Sequence, residues 1–405
     1  MHGGPTAEAR PLPMAASPAQ IGLDPSRLDD LVARARREID AGHIGSCQLA
    51  VARHGRLGLR RTLGAVTHQG RPAPATDDTL YAVFSCTKAI FSSAIWLLVQ
   101  EGLLDPAERV ADIVPEFGTN GKEVVTIEQV MTHTSGFPNA PYPAAEWADR
   151  GKRLERFGRW RLEWEPGTRY VYHPTSGMWV MAEVLERRTG TDYRTFVHER
   201  IAAPLGLPEM RLGLPRALHH RLADIENRGE EPSPDELVAA GWPAEQPKTE
   251  VTEDLMVGFN RDFVREAGLP AGGGVMTAAE LALFYQALLD DGRAPDGTTI
   301  WTPETLRWAR QVRTGALVDP VFQKPIHRAF GICVAGDDER AYRGFGMTNS
   351  PEAFGHNGAG GQIGWADPAT GISFAFVTHG FDRNPVRLGR RGLALSSRAA
   401  ACAIG

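Results

Sequence analysis

Apolar residues near the start of the chain recur first at helical spacing and then in strand-like runs. Asp24 and Pro25 are a typical helix N-cap and first-turn pair. The apolar residues that follow share a spacing of three or four positions: Leu28, Leu31, Val32, Ala35 and Ile39. Gly42 ends this pattern. Apolar runs at 47–51 and 58–66 then predict two strands.

The middle and the end of the chain carry different patterns. Residues from about 106 to 289 are mostly helical in pattern, with capping boxes at 126–129 and 277–280. From 329 onward, short apolar runs between glycine-rich turns predict strands, and a last helix covers about 385–401. These patterns predict one sheet built from both ends of the chain, with a helical lobe inserted between them.

The same patterns set the predicted domain boundaries. Residues 1–18 are rich in Gly, Pro and Ala and predict a disordered tail. Residues 19–105 and 290–405 form the predicted α/β domain, and residues 106–289 form the helical domain. Within the helical domain, the segment 226–254 is acidic and Pro-rich, which favours a solvated insertion or a flap.

Composition narrows the class of function. The 405 residues are 42% hydrophobic and 23% charged, as in an ordinary globular protein with a sizeable core. A net charge of −5 provides no basic surface for nucleic acid. The longest apolar run, after Lys88, is too short for a membrane span, and the N-terminus lacks the apolar stretch of a signal peptide. Four widely spaced cysteines favour reduced thiols in a cytoplasmic protein.

The main candidate for chemistry lies where a strand-like run meets a strongly apolar helix. Ser85 and Lys88 are three residues apart, which places both side chains on one face of a helix. A serine hydroxyl becomes a good nucleophile only when a base takes its proton. A lysine can be that base if burial or a nearby cation lowers its pKa, and the apolar helix would bury it. The alternative is a capping serine beside a lysine that reaches solvent, because Ser-x-x-Lys often occurs by chance.

A nucleophilic serine also needs a group that carries a proton to the leaving atom. Tyr172 is the best candidate, since it lies in a loop just before a predicted helix, where a phenol can project into a cleft. A nearby buried amine would stabilise its phenolate. Tyr170 lies two residues earlier on the other side of an extended segment, and we expect it to pack in the interior.

The glycine-rich stretch 354–361 is the third element of the predicted site. Gly358 allows a sheet edge to approach a ligand closely. The backbone N–H groups of Ser85 and Ala359 would then form an oxyanion hole. We expect His356, Asn357 and Gly358 to support or bind the substrate, although His356 could instead be hydrogen-bonded within a strand.

Motifs of other enzyme classes do not fit. Gly358, Gly360 and Gly364 loosely match a dinucleotide loop, but a turn follows them where that loop requires a helix. The sequence has no Gly-x-Ser-x-Gly elbow, which disfavours an α/β-hydrolase. It also has no His-Glu-x-x-His motif and no phosphate loop, so we expect neither a metal nor a cofactor.

Taken in order, these motifs resemble those of serine β-lactamases and penicillin-binding proteins, in particular the class C-like branch that includes the family VIII carboxylesterases. The resemblance spans most of the chain and combines several segments: 85–88, 132–136, 166–172, 204–207, 273–277 and 356–358. It implies a β-lactamase/transpeptidase-like fold of the α/β (α+β) type, with an antiparallel sheet flanked by N- and C-terminal helices and an inserted helical lobe. It also implies that Ser85 is acylated, with Lys88 and Tyr172 as the base system.

Two positions depart from the pattern of that family. The Tyr-x-Asn motif reads Tyr172-His173-Pro174, and Pro174 has no side-chain donor for an amide substrate. The Lys-Thr-Gly motif begins with His356, which is mostly neutral at pH 7. Loss of one such charged contact costs about 1.5–3 kcal/mol in the transition state, or roughly ten- to a hundredfold in rate. We therefore expect ester hydrolysis to dominate over β-lactamase or peptidase activity.

Other functions stay open at this point. An acyltransferase, or an amide or β-lactam hydrolase, would use the same residues, and the sequence does not show which acceptor attacks the acyl-enzyme. A ligand-binding relative without turnover has no chemical need to keep Ser85, Lys88 and Tyr172 together. The expected partner is a small-molecule ester or acyl substrate, not nucleic acid or a membrane. The natural substrate, its chain length and the oligomeric state are left open.

Overall fold

The structure is a computed structural model and describes residues 11–245 and 252–404. In this part of the chain the α-helices, α1 to α13, are Pro25–Asp40, Thr87–Gln100, Val110–Ile113, Ile127–Met131, Arg150–Arg159, Ser176–Thr189, Tyr193–Val197, Pro234–Ala239, Glu253–Gly258, Asp262–Ala267, Ala278–Leu289, Pro303–Ala309 and Pro385–Ala400. The strands, β1 to β12, are Ser46–Arg53, Arg56–His68, Arg71–Pro74, Tyr81–Ala82, Arg211–Leu212, Glu226–Arg228, Gly274–Met276, Cys333–Val334, Phe354–Gly355, Ile363–Asp367, Ile372–Thr378 and Gly380–Asp382.

The central sheet has seven strands in the order β3-β2-β1-β11-β10-β9-β8, and all its neighbouring strands are antiparallel. Its two middle strands come from opposite ends of the chain. In their register, Cys47 of β1 lies opposite Thr378 of β11, and Arg53 lies opposite Ile372. The predicted fold, one antiparallel sheet made by both ends of the chain, is confirmed.

Successive side chains of the central strands point to opposite faces of the sheet, and each face packs against its own apolar core. Cys47, Leu49 and Val51 face a core that also contains residues of α1 and α13. Ala50 and Ala52 face the opposite core, where α11 packs across β1, β10 and β11. Helices therefore cover both faces of the sheet.

Helix α2 lies in the larger of these cores, and twelve of its fourteen residues are buried. Its start is held by a smaller sheet with the strand order β4-β7-β5. Just before the helix, the backbone N–H of Val83 donates to the carbonyl of Gly274 in β7 at 2.9 Å. The burial expected for the residues after Lys88 is present.

Three features of the structure concern the predicted domain division. The sequence places α11 within the helical domain 106–289, but this helix packs on the central sheet because the small residues of β1 leave room for it. The segment 226–254, predicted as a solvated insertion, begins with β6, which pairs in parallel with β12. Its residues 246–251 lie outside the described part of the chain.

The third feature concerns the predicted tail 1–18. Residues 1–10 lie outside the described part. From residue 11 onward the chain is in contact with the sheet, since the N–H of Leu57 donates to the carbonyl of Pro13 and the N–H of Ala15 donates to the carbonyl of Leu57, both at 2.9 Å. Two hydrogen bonds to β2 thus hold this part of the segment.

Candidate active site

Ser85 lies in a short 3-10 turn, Phe84–Cys86, that leads directly into α2. Phe84 has a φ of +43°, which is unusual for a residue with a side chain. The hydroxyl of Thr87 donates to the Phe84 carbonyl at 2.5 Å and accepts a hydrogen bond from the N–H of Gly274 at 2.9 Å. These contacts fix the strained turn against β7 and so fix the position of Ser85.

The three side chains predicted to carry the chemistry converge on one oxygen atom. Lys88 Nζ lies 3.2 Å from Ser85 Oγ, as the three-residue spacing on one helical face requires. Tyr172 Oη donates to the same Ser85 Oγ at 3.0 Å, although 87 residues separate the two in sequence. Ser85 is partly exposed, whereas Lys88 is fully buried.

The amine of Lys88 is held by backbone carbonyls as well as by Ser85. Nζ donates to the carbonyl of Pro174 at 2.8 Å and to that of Ala271 at 3.0 Å. Pro174 has no side-chain donor, but its carbonyl orients the lysine. The amine therefore points at the nucleophile from a fixed position.

The Tyr172 ring is bordered by a histidine, by the amine of Lys88 and by the guanidinium of Arg328. The ring centroids of His133 and Tyr172 are 4.7 Å apart, and Lys88 Nζ and Arg328 Cζ lie 5.0 and 5.2 Å from the Tyr172 centroid. Burial raises the pKa of Tyr172 to about 12, against the opposing effects of Arg328 and the hydrogen bond with Ser85. The phenol therefore keeps its proton at neutral pH, in contrast to the phenolate that the sequence suggested.

Tyr170 forms part of the cavity wall and makes no hydrogen bond with Ser85. It is 3% exposed, and its hydroxyl accepts a hydrogen bond from Arg328 Nε at 3.2 Å. This agrees with the expected role of Tyr170 in packing.

The loop after β9 comes next to the nucleophile. A Cβ on Gly358 would lie 2.4 Å from the carbonyl oxygen of Val83, so only glycine fits this approach. Ala359, the next residue, lines the same cavity as Ser85, where its N–H is the predicted second oxyanion donor. The side-chain amide of Asn357 donates to the Gly344 carbonyl at 2.8 Å and holds the loop in place.

His356 is a neutral residue in the wall of this cavity. Its Nδ1 lies 2.7 Å from the Asn357 carbonyl, which can only accept, so Nδ1 carries the proton and Nε2 has the lone pair. Nε2 is buried and has no hydrogen-bond partner among the described residues. Burial, together with the nearby basic groups of Arg328 and Lys88, holds the pKa of His356 well below its usual value. The neutral state expected from the sequence agrees with this environment.

These residues surround one open cavity of about 410 Å³. Its wall includes Ser85, Tyr172, Arg328, His356, Asn357 and Ala359. Within 11–245 and 252–404, no group of three His, Cys, Asp or Glu residues is arranged to hold a metal ion. All four cysteines are buried free thiols, and no helix of this part is long and apolar enough to cross a bilayer.

Sequence reasoning did not single out two residues of the site, Arg328 and His133. Arg328 reaches the cavity from the segment before β8 and forms an isolated bridge with Cys333. Its only local signal is a charged residue at the start of the apolar run 329–335. His133, two residues after the end of α4, has a φ of +61° and accepts a hydrogen bond from the N–H of His173 at 3.2 Å.

Comparisons with known proteins show the family of the chain. The family model described as Beta-lactamase matches residues 28–399. The esterase/beta-lactamase LipL of Mycobacterium tuberculosis is 29% identical over 75% of this chain and 70% of its own. A putative D-alanyl-D-alanine carboxypeptidase of Escherichia coli K12 is 25% identical over 90% of this chain and 84% of its own.

Two solved structures share the fold across nearly the whole chain. A family VIII carboxylesterase is 26% identical, with a TM-score of 0.75 over 93% of this chain and 99% of its own. A penicillin-binding protein homologue from Caulobacter crescentus is 28% identical, with a TM-score of 0.73 over 94% of this chain and 97% of its own. The fold, the convergent Ser85, Lys88 and Tyr172, and a family match over most of the sequence lead to one conclusion: the chain belongs to the β-lactamase family of serine hydrolases.

Proposed function

We propose that the protein hydrolyses carboxylic esters through an acyl-enzyme formed on Ser85. The observation that carries this proposal is the convergence of Lys88 Nζ and Tyr172 Oη on Ser85 Oγ, at 3.2 and 3.0 Å. A serine with a base on one side and a phenol on the other is equipped for nucleophilic acyl transfer. The similarity to a family VIII carboxylesterase supports an ester as the substrate.

In the acylation step, Ser85 Oγ attacks the ester carbonyl carbon while its proton passes to Lys88 Nζ. The N–H groups of Ser85 and Ala359 stabilise the oxyanion. Collapse of the tetrahedral intermediate breaks the bond to the alcohol, and Tyr172 gives its proton to the leaving oxygen. The products of this step are the free alcohol, acylated Ser85, a Tyr172 phenolate and a Lys88 ammonium.

Deacylation restores each group. Water attacks the acyl carbon and gives a proton to the Tyr172 phenolate. The Ser85 oxygen then leaves the carboxylic acid and takes the proton from the Lys88 ammonium. The cavity around Ser85 is open, so water can reach the acyl group.

A D-alanyl-D-alanine carboxypeptidase is the second candidate, because several curated relatives bear that description. The local chemistry favours the ester. Pro174 offers a carbonyl but no side-chain donor for the amide of a peptide. His356 is neutral, so the charged contact expected at that position is also absent.

The test is release of p-nitrophenol from p-nitrophenyl acetate and butyrate, with Ser85→Ala as the control. We expect turnover by the wild type and none above background by the variant, with an adduct on Ser85 detectable by mass spectrometry after rapid quenching. Nitrocefin and a D-alanyl-D-alanine peptide are assayed in parallel. Equal activity of the wild type and Ser85→Ala on the esters, or faster cleavage of either amide substrate, contradicts the proposal.

A further inference from the structure

The segment that carries Tyr172 has no regular secondary structure of its own. Residues 169–173 belong to neither a helix nor a strand. The contact of Tyr172 Oη with Ser85 Oγ joins residues that are 87 positions apart in the chain. A side chain on such a segment keeps one position only if other parts of the protein hold its backbone. The position of the phenol therefore depends on the contacts of this segment.

His133 holds the backbone on both sides of Tyr172. Its carbonyl accepts a hydrogen bond from the N–H of Val171, and its ring Nδ1 accepts one from the N–H of His173, both at 3.2 Å. The His133 ring also lies against the phenol, with 4.7 Å between the two ring centroids. One residue thus contacts the Tyr172 ring and binds the residues before and after it.

The ring of His133 makes this contact as a neutral imidazole. Because Nδ1 accepts the hydrogen bond from His173, it has the lone pair, and the ring proton lies on Nε2. His133 is fully buried, and burial together with the nearby Arg328 guanidinium holds its pKa well below the usual value. At neutral pH the ring is therefore an acceptor for the segment and takes no part in proton transfer.

The backbone of His133 is held in an unusual conformation. Its φ of +61° lies in the left-handed region, which residues with a side chain rarely adopt. Strain of this kind persists only where the surrounding contacts determine it, and it is concentrated at functional positions. The turn 132–136, which contains His133, is also one of the segments on which the resemblance in sequence depends, and the proposed reaction gives it no direct role.

The Tyr172 segment has a second attachment that does not involve His133. The ring of His173 accepts hydrogen bonds at Nε2 from Ser135 Oγ at 3.1 Å and from the N–H of Phe137 at 3.2 Å. Its Nδ1 donates to the carbonyl of Val171 at 2.6 Å. We therefore expect the segment to stay attached when the His133 ring is replaced, so that the change acts on the position of the phenol.

We propose that His133 is the positioning residue for Tyr172 and sets its phenol at hydrogen-bond distance from Ser85 Oγ. This inference rests on the proposed ester hydrolysis, in which Tyr172 gives its proton to the leaving alcohol. A displacement of about 1 Å in a catalytic group can lower the rate about a hundredfold, so a residue that never meets the ester can control this step.

Two variants of His133 separate the hydrogen bond from the bulk of the ring. His133→Asn keeps an acceptor oxygen close to the position of Nδ1, and asparagine tolerates a positive φ. His133→Leu fills a similar volume without an acceptor. His133→Ala removes the same acceptor and serves if the leucine variant does not fold. Circular dichroism and thermal melting establish that each variant is folded.

Initial rates on ethyl butyrate and p-nitrophenyl butyrate measure the effect on catalysis. We expect His133→Leu to lower kcat on ethyl butyrate at least about tenfold and on p-nitrophenyl butyrate less than about threefold, because p-nitrophenolate leaves without protonation. His133→Asn should stay within about threefold of the wild type on both esters. In a Tyr172→Phe background, His133→Leu should change kcat on ethyl butyrate by less than about threefold, since the phenol through which it acts is gone.

Crystal structures of the two variants measure the position of the phenol without turnover. The distance from Tyr172 Oη to Ser85 Oγ should stay at hydrogen-bond length in His133→Asn and exceed about 3.5 Å in His133→Leu. An unchanged distance in His133→Leu overturns the inference. So does an equal loss of kcat on the two esters, or a loss in the Tyr172→Phe background as large as in the wild type. Failure of the wild type to exceed Ser85→Ala on either ester contradicts the proposed function, whereas the crystal structures still decide the role of His133.

Discussion

The hydroxyl of Ser85 contacts two groups with different surroundings. Tyr172 has its pKa raised to about 12 and is a proton donor at neutral pH. Lys88 is fully buried and tied to two carbonyls, which leaves its amine directed at the nucleophile. This asymmetry supports a division of roles, with Lys88 as the base for Ser85 and Tyr172 as the acid for the leaving group.

Removal of the Tyr172 hydroxyl should impair catalysis most where the leaving group needs a proton. We expect Tyr172→Phe to lower kcat about a hundredfold or more on ethyl butyrate, and less on p-nitrophenyl butyrate, because p-nitrophenolate leaves without protonation. Initial rates on the two esters provide the measurement. Tyr170→Phe is the matched control and should retain most of the activity. A similar loss in both variants would place the proton donor elsewhere.

His173 gives the stability of the protein a predictable dependence on pH. The ring accepts hydrogen bonds at Nε2 from Ser135 Oγ and the N–H of Phe137, and burial lowers its pKa to about 4. In the unfolded chain this histidine has its ordinary pKa near 6.5. Between about pH 4 and 6.5 the unfolded state therefore binds a proton that the folded state does not bind. The contribution of His173 to the free energy of unfolding should be complete above about pH 6.5. It should fall by up to about 3 kcal/mol as the pH is lowered toward 4.

Urea unfolding between pH 7.5 and 4.5 measures this dependence. The lowered pKa values of His133 and His356 act in the same direction. His173→Asn should unfold more easily at pH 7.5 but with a shallower slope against pH. A free energy of unfolding that stays constant over this range in the wild type would show that folding does not lower the pKa of His173.

At the scale of elements, the site exists because three of them meet with little space between their backbones. The turn before α2 carries Ser85, the loop after β9 carries Ala359, and the segment before α6 carries Tyr172. Gly358 lies where the second of these approaches the first, against the carbonyl of Val83. The two predicted oxyanion donors, the N–H groups of Ser85 and Ala359, are adjacent only if this approach is preserved.

Gly358→Ala should therefore separate the two backbones and reduce activity more than stability. We expect kcat/KM on p-nitrophenyl butyrate to fall at least about tenfold, since a shift of one oxyanion donor has large effects. Gly389→Ala is the matched control, because an added Cβ there meets no atom within 4 Å in the exposed part of α13. This second change should leave kcat/KM unaltered and stabilise the helix by about 0.5–1 kcal/mol. Normal activity of Gly358→Ala would refute the assigned role of the loop.

At the scale of the whole molecule, the two ends of the chain are joined by a strand pair, a helix pair and a buried ionic cluster. β1 pairs with β11, and α1 packs against α13. Arg391 Nη1 of α13 lies 3.0 Å from Asp382 and 3.4 Å from Glu38 of α1. Ser85, the proposed nucleophile, lies in the sequence between these joined ends, so we expect their association to determine whether the site forms.

Arg391→Met should destabilise the whole fold by about 3 kcal/mol, because it leaves two buried carboxylates with less compensation. This loss is at the lower end of the usual cost of breaking a buried ion pair. The reason is that Arg34 still contacts Glu38, and Arg387 still contacts Asp382, each at 2.6 Å. The control is Arg398→Ala on the same helix, which breaks an exposed pair with Asp30 and should cost less than about 1 kcal/mol. Guanidinium chloride unfolding compares the two variants. Equal losses would show that the Arg391 cluster is no more important than a surface pair.

The sequence by itself determined the features that depend on local spacing. Ser85 and Lys88 were recognisable as a pair because three residues on a helix bring two side chains together whatever surrounds them. The same reasoning placed helix α1 after Asp24 and the strands at both ends of the chain, since period and capping are local properties. Tyr172 could be selected because its loop leads into a helix, although its distance to Ser85 could not be derived.

Only the tertiary structure decided the contacts made across long stretches of chain. Arg328 meets Tyr172 from 156 positions later, and Ala271 meets Lys88 from 183 positions later, so no periodicity relates them. The proton on Tyr172 depends on how completely the folded protein surrounds the phenol, and the placement of α11 on the sheet depends on the small side chains opposite it. Burial and charge at a point in space are sums over all neighbouring chain segments, and those neighbours are set only when the whole core packs.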